Sequence, residues 1–318
     1  MARYAGMAPY VYLSGEFVPQ QEAKIDALSV AVKYAALVFE GMVAHVDDAG
    51  GNLALYRLPE HLARLQDSMR VLRFRHDYSE QALADVVTET LRRNEVREDA
   101  HVRLCAFVEG RGYNTTAEPI GLICSVSFRP KRRIEDKTGR AAISSWRRID
   151  DQAMPPRVKC AGNYSNSRLA MLQATQDGYD EVIFLNQNGK VAEAASSCLF
   201  VLRNGVWATS RSTDGTLESI TRDSLIKLLA RDATPVEERE IDRSELYLAQ
   251  EAFICGSGYE VAPILGFDGL AVGDGGIGPR TRRVWELYEA VLRGREAAFR
   301  HWLTPVWPAD AGLRAAGE

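Results

Sequence analysis

Three reactive side chains occur close together in the second half of the chain. Lys159 and Tyr164 lie in one short segment that begins at Arg157, and Glu193 follows about thirty residues later. A lysine that acts as a nucleophile must be unprotonated part of the time, which requires a desolvated site or a cationic neighbour. A phenol can share a proton with a phenolate oxygen, and a carboxylate can pair with a protonated ring nitrogen. An amine, a phenol and an acid in this order indicate a site for pyridoxal 5'-phosphate (PLP).

Donors for a phosphate group occur at two further places. Ile220 and Thr221 open a predicted helix, and the first amides of a helix are donors at its positive end. The Thr221 hydroxyl would add a hydrogen bond, and Arg64 is the candidate guanidinium. The turn at residues 256–258 exposes further amides for a phosphate or a carboxylate. Each feature alone has an ordinary alternative, such as a surface lysine, a core tyrosine, a hairpin acid or a helix N-cap.

Length and composition predict a soluble globular protein. The 318 residues are enough for two domains, and 46% apolar with 26% charged residues is ordinary for a globular protein. The net charge of −4 gives no electrostatic reason to expect nucleic acid as a partner. The five cysteines are scattered without metal-binding spacing, which suits a reduced protein without a metal. The start of the sequence lacks a signal peptide, and no apolar run is long enough to cross a bilayer, so we expect a cytoplasmic protein.

Periodicity predicts the elements that position these residues. In the first part we expect a hairpin over residues 11–18 that turns at Ser14-Gly15, helices over 58–73 and from Ser79, and strands over 101–108 and 120–128. In the second part we expect strands over 141–147, 181–186 and 252–255, helices over 164–177, from about Thr221 and over 280–293, and hairpins at Asn188-Gly189 and Asn204-Gly205. The charged stretch 130–140 is the predicted linker. It divides a small N-terminal domain (1–129) from a large PLP-binding domain (141–318).

Motifs along most of the chain resemble those of the class IV aminotransferases, the fold-type IV PLP enzymes, and most closely the branched-chain amino acid aminotransferases. They are Tyr34, Val38-Phe39-Glu40-Gly41, the segments 61–65, 102–103, 159–164, 178–181 and 189–193, and then 220–223 and 256–257. The resemblance implies a two-domain α+β/α-β fold of the D-amino acid aminotransferase type. In that fold a small N-terminal α/β domain accompanies a larger C-terminal domain with a β-barrel-like core.

The resemblance also implies a role for each matching residue. Lys159 would form the Schiff base with PLP and shuttle protons, Tyr164 would contact the ring oxygen, and Glu193 would pair with the ring nitrogen. Leu217 would pack on the cofactor ring. The residues that would hold the phosphate are Arg64, Ile220, Thr221 and Ser257. Among the implied substrate positions, Tyr34, Phe39 and Gly41 would line the side-chain pocket. Arg103 would bind the distal carboxylate of the substrate, and Ser257 and Gly258 would bind its α-carboxylate.

Four positions depart from the family pattern, and all four bear on substrates more than on the cofactor. Met42-Val43 stands where an arginine usually follows Phe-Glu-Gly, and His101 replaces a tyrosine two residues before Arg103. Cys198 replaces an asparagine. Tyr259 replaces a small residue, and we expect it to narrow the substrate pocket.

The expected activity is transfer of an amino group between a branched-chain or other hydrophobic amino acid and a 2-oxo acid such as 2-oxoglutarate. A homodimer or an assembly of dimers is expected, since sites of this family lie near the dimer interface. Other chemistries share the same lysine and acid: a D-amino acid or (R)-amine transaminase, and an aminodeoxychorismate-lyase-like enzyme. A non-catalytic binding protein of this fold is a further alternative.

Overall fold

The computed structural model describes residues 6–48 and 51–308, and the chain divides into two compact units. Unit 1 comprises Met1–Lys131, Lys159–Gly162 and Ala290–Glu318, and unit 2 comprises Arg132–Val158 and Asn163–Glu289. The first break therefore falls inside the stretch predicted as a linker. The sequence-based division differs in assigning residues 159–162 and 290–318 to the second domain. Both segments join unit 1 through backbone pairing with its strands.

Unit 1 is built on one eight-stranded sheet. Its strands are β1 (Gly6–Met7), β2 (Tyr10–Leu13), β3 (Glu16–Pro19), β4 (Leu37–Val46), β5 (Leu53–Tyr56), β6 (Ala100–Val108) and β7 (Ile120–Phe128), with β17 (Leu303–Pro305) from the end of the chain. The order is β17-β5-β4-β6-β7-β2-β3, and β1 pairs with β7. The predicted hairpin is confirmed, because β2 and β3 turn at Ser14-Gly15 with Ser14 at a φ of 45°.

The first part of unit 1 contains the α-helices α1 (Val30–Tyr34), α2 (Leu58–Val71) and α3 (Glu80–Arg93). The apolar residues spaced along α2 form its buried stripe, as the periodicity predicts: Leu58, Leu62, Leu65 and Met69. Ser79 is the N-cap of α3, and its side chain accepts a hydrogen bond from the Ala82 amide at 3.1 Å. Helix α2 contacts β4, and this pairing positions much of the chemistry described below.

Unit 2 is built on a nine-stranded sheet. Its strands are β8 (Gly139–Arg147), β9 (Glu181–Leu185), β10 (Val191–Ala194), β11 (Cys198–Arg203), β12 (Val206–Thr209), β13 (Val236–Glu238), β14 (Glu251–Gly256), β15 (Glu260–Phe267) and β16 (Leu270–Ala271). The order is β10-β9-β8-β15-β14-β11-β12-β13, and β16 pairs with β15. The predicted linker is not wholly irregular, because residues Ile134–Lys137 form a 3-10 helix and β8 begins at Gly139.

The helices of unit 2 are α4 (Asn163–Gln176), α5 (Ile220–Arg231), α6 (Arg243–Tyr247) and α7 (Pro279–Leu292), whose last turn is assigned to unit 1. The two predicted hairpins are confirmed as β9–β10 and β11–β12. All five cysteines are buried, and none of them forms a disulfide bond. Across residues 6–48 and 51–308, none of the helices has both the length and the apolar character needed to span a membrane.

Candidate active site

The backbone of Lys159 is fixed on the sheet of unit 1. Cys160 forms an isolated antiparallel bridge with Val38 of β4. The Phe39 amide donates to the Lys159 carbonyl at 2.9 Å, and the Lys159 amide donates to Oγ of Ser68 on α2 at 3.2 Å. These hydrogen bonds hold the residue from both sides, so the position of its side chain is set by two elements of unit 1.

The Lys159 amine contacts an aromatic ring that also carries a guanidinium. Nζ of Lys159 lies 4.9 Å from the centroid of the Phe39 ring, and Cζ of Arg103 lies 4.0 Å from the same centroid. The ring is buried, and cations at these distances are attracted to its π face. The structure thus brings together three residues that the sequence proposed for different roles: the amine, a pocket wall and the carboxylate-binding arginine.

Gly41 has a steric reason to be glycine. It lies directly opposite Arg103 in the β4–β6 register. A Cβ at this position would lie 2.8 Å from Nε2 of His101, which is too close for any side chain to be tolerated without movement. The imidazole therefore lies over Gly41. Tyr34, the remaining predicted pocket residue of unit 1, ends helix α1 with an exposed side chain.

Arg64 is held by a buried acid to which the sequence motifs gave no role. Nε and Nη2 of Arg64 donate to the two carboxylate oxygens of Glu40, each at 2.7 Å. Nδ1 of His61 lies 2.7 Å from Oε2 of the same carboxylate, and both Glu40 and His61 are almost fully buried. Burial alone would raise the pKa of Glu40, but the charge and hydrogen bonds of Arg64 with the His61 contact outweigh it and lower that pKa to about 2. Glu40 is therefore ionised at neutral pH, and its two oxygens hold the Nε–Nη2 edge of the guanidinium.

Glu193 of unit 2 is paired with an arginine. Its Oε1 lies 2.5 Å from Nη2 of Arg148, and both side chains are only 6% exposed. Its other oxygen accepts a hydrogen bond from the Leu217 amide at 3.1 Å. The structure thereby joins Glu193 to Leu217, the residue predicted to pack on the ring. Arg148 was missed from the sequence because it follows Arg147, and two adjacent arginines resemble ordinary surface charge.

The predicted phosphate-binding helix begins as expected. Helix α5 starts at Ile220, and its N-cap is Ser219, whose Oγ accepts from the Arg222 amide at 3.2 Å. The alternative that Thr221 is the N-cap is therefore wrong. The first intrahelical hydrogen bond runs from Asp223 to Ser219, so the amides of Ile220 and Thr221 precede the helical ladder. Thr221 itself is buried at this end of the helix.

A second polar turn of unit 2 contains Ser257 and Gly258. They form the tip between β14 and β15, closed by a hydrogen bond from the Tyr259 amide to the Gly256 carbonyl at 3.0 Å. Nearby, Ser197 is buried, and its Oγ has no hydrogen-bond partner among the described residues. A Cβ placed on Gly256 would lie 3.6 Å from the Cβ of Ser197. A polar group of a bound ligand would supply the hydrogen-bond partner that the buried Ser197 hydroxyl lacks among the described residues.

Tyr259 does not support the expectation that it narrows the substrate pocket. Its hydroxyl donates to Oε2 of the buried Glu181 at 2.5 Å, and its ring packs against a hydrophobic core cluster of unit 2. The larger residue at this position therefore serves the interior of unit 2. Tyr164 is half-buried in the first turn of α4.

Taken separately, the two units contain donor sets that fit PLP. Unit 1 offers a fixed amine and a guanidinium held by an acid, while unit 2 offers a paired carboxylate, a helix N-terminus and a buried hydroxyl without a partner among the described residues. These are the groups that suit an aldehyde, a pyridine nitrogen and a phosphate.

Known proteins of similar sequence and structure agree with this chemistry. The family described as amino-transferase class IV matches residues 37–267. A protein of Aquifex aeolicus (strain VF5), named a probable branched-chain-amino-acid aminotransferase, is 37% identical, and the match covers 94% of this chain and 97% of that protein. The branched-chain-amino-acid aminotransferase of Escherichia coli (strain K12) is 32% identical, with 94% and 98% covered.

A solved structure shares the fold over nearly its whole length. The branched-chain aminotransferase from the archaeon Thermoproteus uzoniensis, solved with norvaline, superposes with a TM-score of 0.88 at 34% identity, covering 95% of this chain and 100% of that one. The two-domain fold of the fold-type IV enzymes is thereby confirmed. Because the family match spans most of the chain and the relatives align almost end to end, the chain belongs to the class IV aminotransferases, a family of PLP-dependent enzymes.

Proposed function

We propose that the enzyme transfers an amino group between a branched-chain or other hydrophobic L-amino acid and 2-oxoglutarate, with Lys159 as the residue that carries PLP. The observation that carries the proposal is the placement of the Lys159 amine and the Arg103 guanidinium on the same Phe39 ring. The Lys159 amine would act at the reacting carbon of the substrate, and the Arg103 guanidinium would bind the substrate's distal carboxylate. Relatives named branched-chain aminotransferases support the choice of donor.

The acceptor is supported by a second solved structure. This branched-chain amino acid aminotransferase was solved in complex with N-(5'-phosphopyridoxyl)-L-glutamate. It superposes with a TM-score of 0.89 at 34% identity, covering 94% of this chain and 99% of that one. A glutamate side chain ends in the carboxylate that Arg103 would bind, and Arg103 is present here. Glutamate and 2-oxoglutarate are therefore the proposed second substrate pair.

Each residue has a defined task in this proposal. Bound PLP would supply an electron sink for the electrons released at the substrate Cα. The Lys159 amine would accept the Cα proton and return it, as a general base and then a general acid. Glu193, held by Arg148, would pair with the pyridine nitrogen. Tyr164 would contact the ring oxygen.

The phosphate and the substrate would be bound by the remaining residues. Arg64, oriented by Glu40, would bind phosphate oxygens together with the first turn of α5 and Ser257. Gly258 and Ser257 would bind the α-carboxylate of the substrate. Phe39, Gly41 and Tyr34 would line the space for its side chain.

Replacing Arg103 by alanine should raise the KM for 2-oxoglutarate much more than the KM for 4-methyl-2-oxopentanoate. A charge-assisted hydrogen bond contributes about 2–3 kcal/mol, which corresponds to roughly a 30- to 150-fold change in affinity. Steady-state kinetics with both acceptors would measure the difference. Equal effects on the two acceptors would show that Arg103 does not bind the distal carboxylate.

The donor class can be tested by the first half-reaction alone. We expect L-leucine and L-glutamate to convert the PLP form of the enzyme to its pyridoxamine form, as measured by absorbance. Conversion by D-alanine or (R)-1-phenylethylamine without conversion by either L-amino acid would contradict the proposal. Release of pyruvate from aminodeoxychorismate without transamination would also contradict it.

A cytoplasmic homodimer is part of the proposal. Large apolar side chains at and just before α1 are exposed in the single chain: Leu28, Val32 and Tyr34. Clustered exposed apolar residues of this kind favour a protein interface. Five cysteines without a disulfide bond suit a reducing compartment.

A further inference from the structure

The polar turn between β14 and β15 has a backbone that its surroundings must hold in place. Ser257 and Gly258 are the central residues of this β-turn. The Tyr259 amide closes it on the Gly256 carbonyl at 3.0 Å. The next residue, Glu260, has a φ of 60°, in the left-handed region that a residue other than glycine adopts at a cost. The contacts of Tyr259 and Glu260 therefore determine the shape of the turn.

Tyr259 connects the turn to a buried acid of β9. Its hydroxyl donates to Oε2 of Glu181 at 2.5 Å, and Glu181 is 2% exposed. A small residue, which the family pattern has at position 259, could not reach this carboxylate. Loss of the hydroxyl would remove a donor from a buried acceptor, and such a loss is costly because water does not replace the donor.

The same carboxylate also holds the segment that follows Glu193. Oε1 of Glu181 accepts from the Val182 amide at 3.0 Å and from the Ala195 amide at 3.4 Å. Ala195 is two residues beyond Glu193, at the end of β10. One buried acid therefore connects the turn of Ser257 to the strand that carries the acid proposed to pair with the pyridine nitrogen.

A second contact holds the other side of the turn. The Glu260 carboxylate pairs with Nζ of Lys137, and the two side chains are 12% and 5% exposed. Lys137 ends the 3-10 helix before β8, and its Nζ lies 5.9 Å from the centroid of the Trp285 ring. All of these residues belong to unit 2, so the turn is fixed within one compact unit.

We infer that Tyr259 and Glu181 are positioning residues, whose hydrogen bond holds the Ser257–Gly258 turn in the shape that binds the substrate α-carboxylate and the cofactor phosphate. The inference rests on the proposed function, which assigns those two anions to the turn. A turn that is held in its binding shape loses little conformational freedom when an anion binds. Without the hydrogen bond the turn samples more conformations, and both anions bind less tightly.

Tyr259→Phe tests the inference, because it keeps the ring on its core cluster and removes only the hydroxyl. We expect the Kd of PLP for the apoenzyme to rise about tenfold. The Kd of 4-methylpentanoate, an unreactive monocarboxylic acid, for the PLP-loaded enzyme should rise by a similar factor. Absorbance titration and calorimetry measure the two constants. A purely structural contribution would lower the melting temperature and leave both constants unchanged, which would overturn the inference.

Tyr247→Phe is the matched control. The Tyr247 hydroxyl donates to Oδ2 of Asp268 at 2.7 Å, and its ring packs against the same core cluster as that of Tyr259. This variant also loses a hydrogen bond from a tyrosine to a carboxylate, but at a different place in unit 2. It should change each Kd by less than about twofold. Equal effects of the two tyrosine variants would contradict a specific role for Tyr259.

A double-mutant cycle tests whether the two residues act as a pair. Glu181→Gln keeps an oxygen acceptor and removes the carboxylate, and we expect it to weaken binding of both anions. Tyr259→Phe combined with Glu181→Gln should bind them no more weakly than the weaker single variant does. Additive losses would overturn the pairing. If Glu181→Gln does not fold, Tyr259→Phe with its control decides the inference.

These binding constants do not require turnover, so the inference and the proposed function can fail separately. If no amino donor converts the wild-type enzyme to its pyridoxamine form, the proposed function fails. Unchanged Kd values in Tyr259→Phe overturn the positioning role even in an enzyme that transfers amino groups as proposed.

Discussion

Replacing Lys159 by alanine is expected to abolish transamination and the visible absorbance of bound cofactor while the fold is retained. The amine is the only group of Lys159 for which a chemical role is proposed, because its backbone hydrogen bonds to Phe39 and Ser68 do not involve the side chain. General acid–base catalysis alone contributes about 10²- to 10⁴-fold, and loss of the covalent link to the cofactor adds to that. The measurements are turnover, the absorption spectrum with added PLP, and circular dichroism.

A matched control is Lys227→Ala. Lys227 is an exposed lysine of α5 whose Nζ pairs with Asp223 at 2.8 Å. Surface pairs of this kind contribute about 0–1 kcal/mol, so this variant should keep its spectrum and its activity. A Lys159→Ala enzyme that still turned over at a comparable rate would refute the assignment.

Removing Glu40 should have the largest effect on stability and should also weaken cofactor binding. Glu40→Ala leaves Arg64 and His61 in a buried place without the carboxylate that both contact. Breaking a buried ion pair from one side costs about 3–5 kcal/mol. Arg64 also loses the two hydrogen bonds that orient it, so we expect its contribution to phosphate binding to decrease and the PLP Kd to increase. Urea unfolding of the apoprotein and titration with PLP measure the two effects.

Glu89→Ala provides the comparison. Glu89 pairs with Arg92 on α3, and both side chains are substantially exposed. Its removal should change the free energy of unfolding by less than about 1 kcal/mol. If Glu40→Ala lowered the free energy of unfolding no more than Glu89→Ala does, the buried pair of Glu40 with Arg64 would not stabilise unit 1.

The same pair predicts a specific acid sensitivity. The pKa of Glu40 is about 2 in the folded protein and 4.5 ordinarily. A lowered pKa means that the stabilisation is fully present above about pH 4.5 and is lost as the pH falls toward 2, for a total of about 3 kcal/mol. The wild-type free energy of unfolding should therefore fall more steeply over this range than that of Glu40→Ala.

Elements with a strong local pattern were predictable from the sequence. The apolar spacing of α2, the Ser79 cap of α3 and the Asn-Gly turns depend on neighbouring residues, and the structure confirms them. Strand β4 was not predicted, although it carries Phe39 and Gly41. Nearly all of its residues are apolar and most are buried, so it lacks the alternation that marks a half-exposed strand.

Contacts between residues far apart in sequence were not predictable in this way. The bridge of Cys160 to Val38 moves the Lys159 segment into unit 1, and nothing in the local sequence signals it. The ion pair of Arg148 with Glu193 likewise joins residues far apart in sequence, and no local pattern predicts it. Glu40 left a weaker signal, since an acid within an apolar run needs a partner, and His61 and Arg64 lie three residues apart on one face of α2.

The most direct test of the central claim is to locate the residue that carries the cofactor. Borohydride reduction of the purified PLP-loaded enzyme fixes the cofactor to the amine that holds it, and peptide mass spectrometry then identifies that amine. We expect the pyridoxyl group on the peptide that contains Lys159, and no labelled peptide from Lys159→Ala. A pyridoxyl group on a different lysine, or none in the wild-type enzyme, would contradict the account.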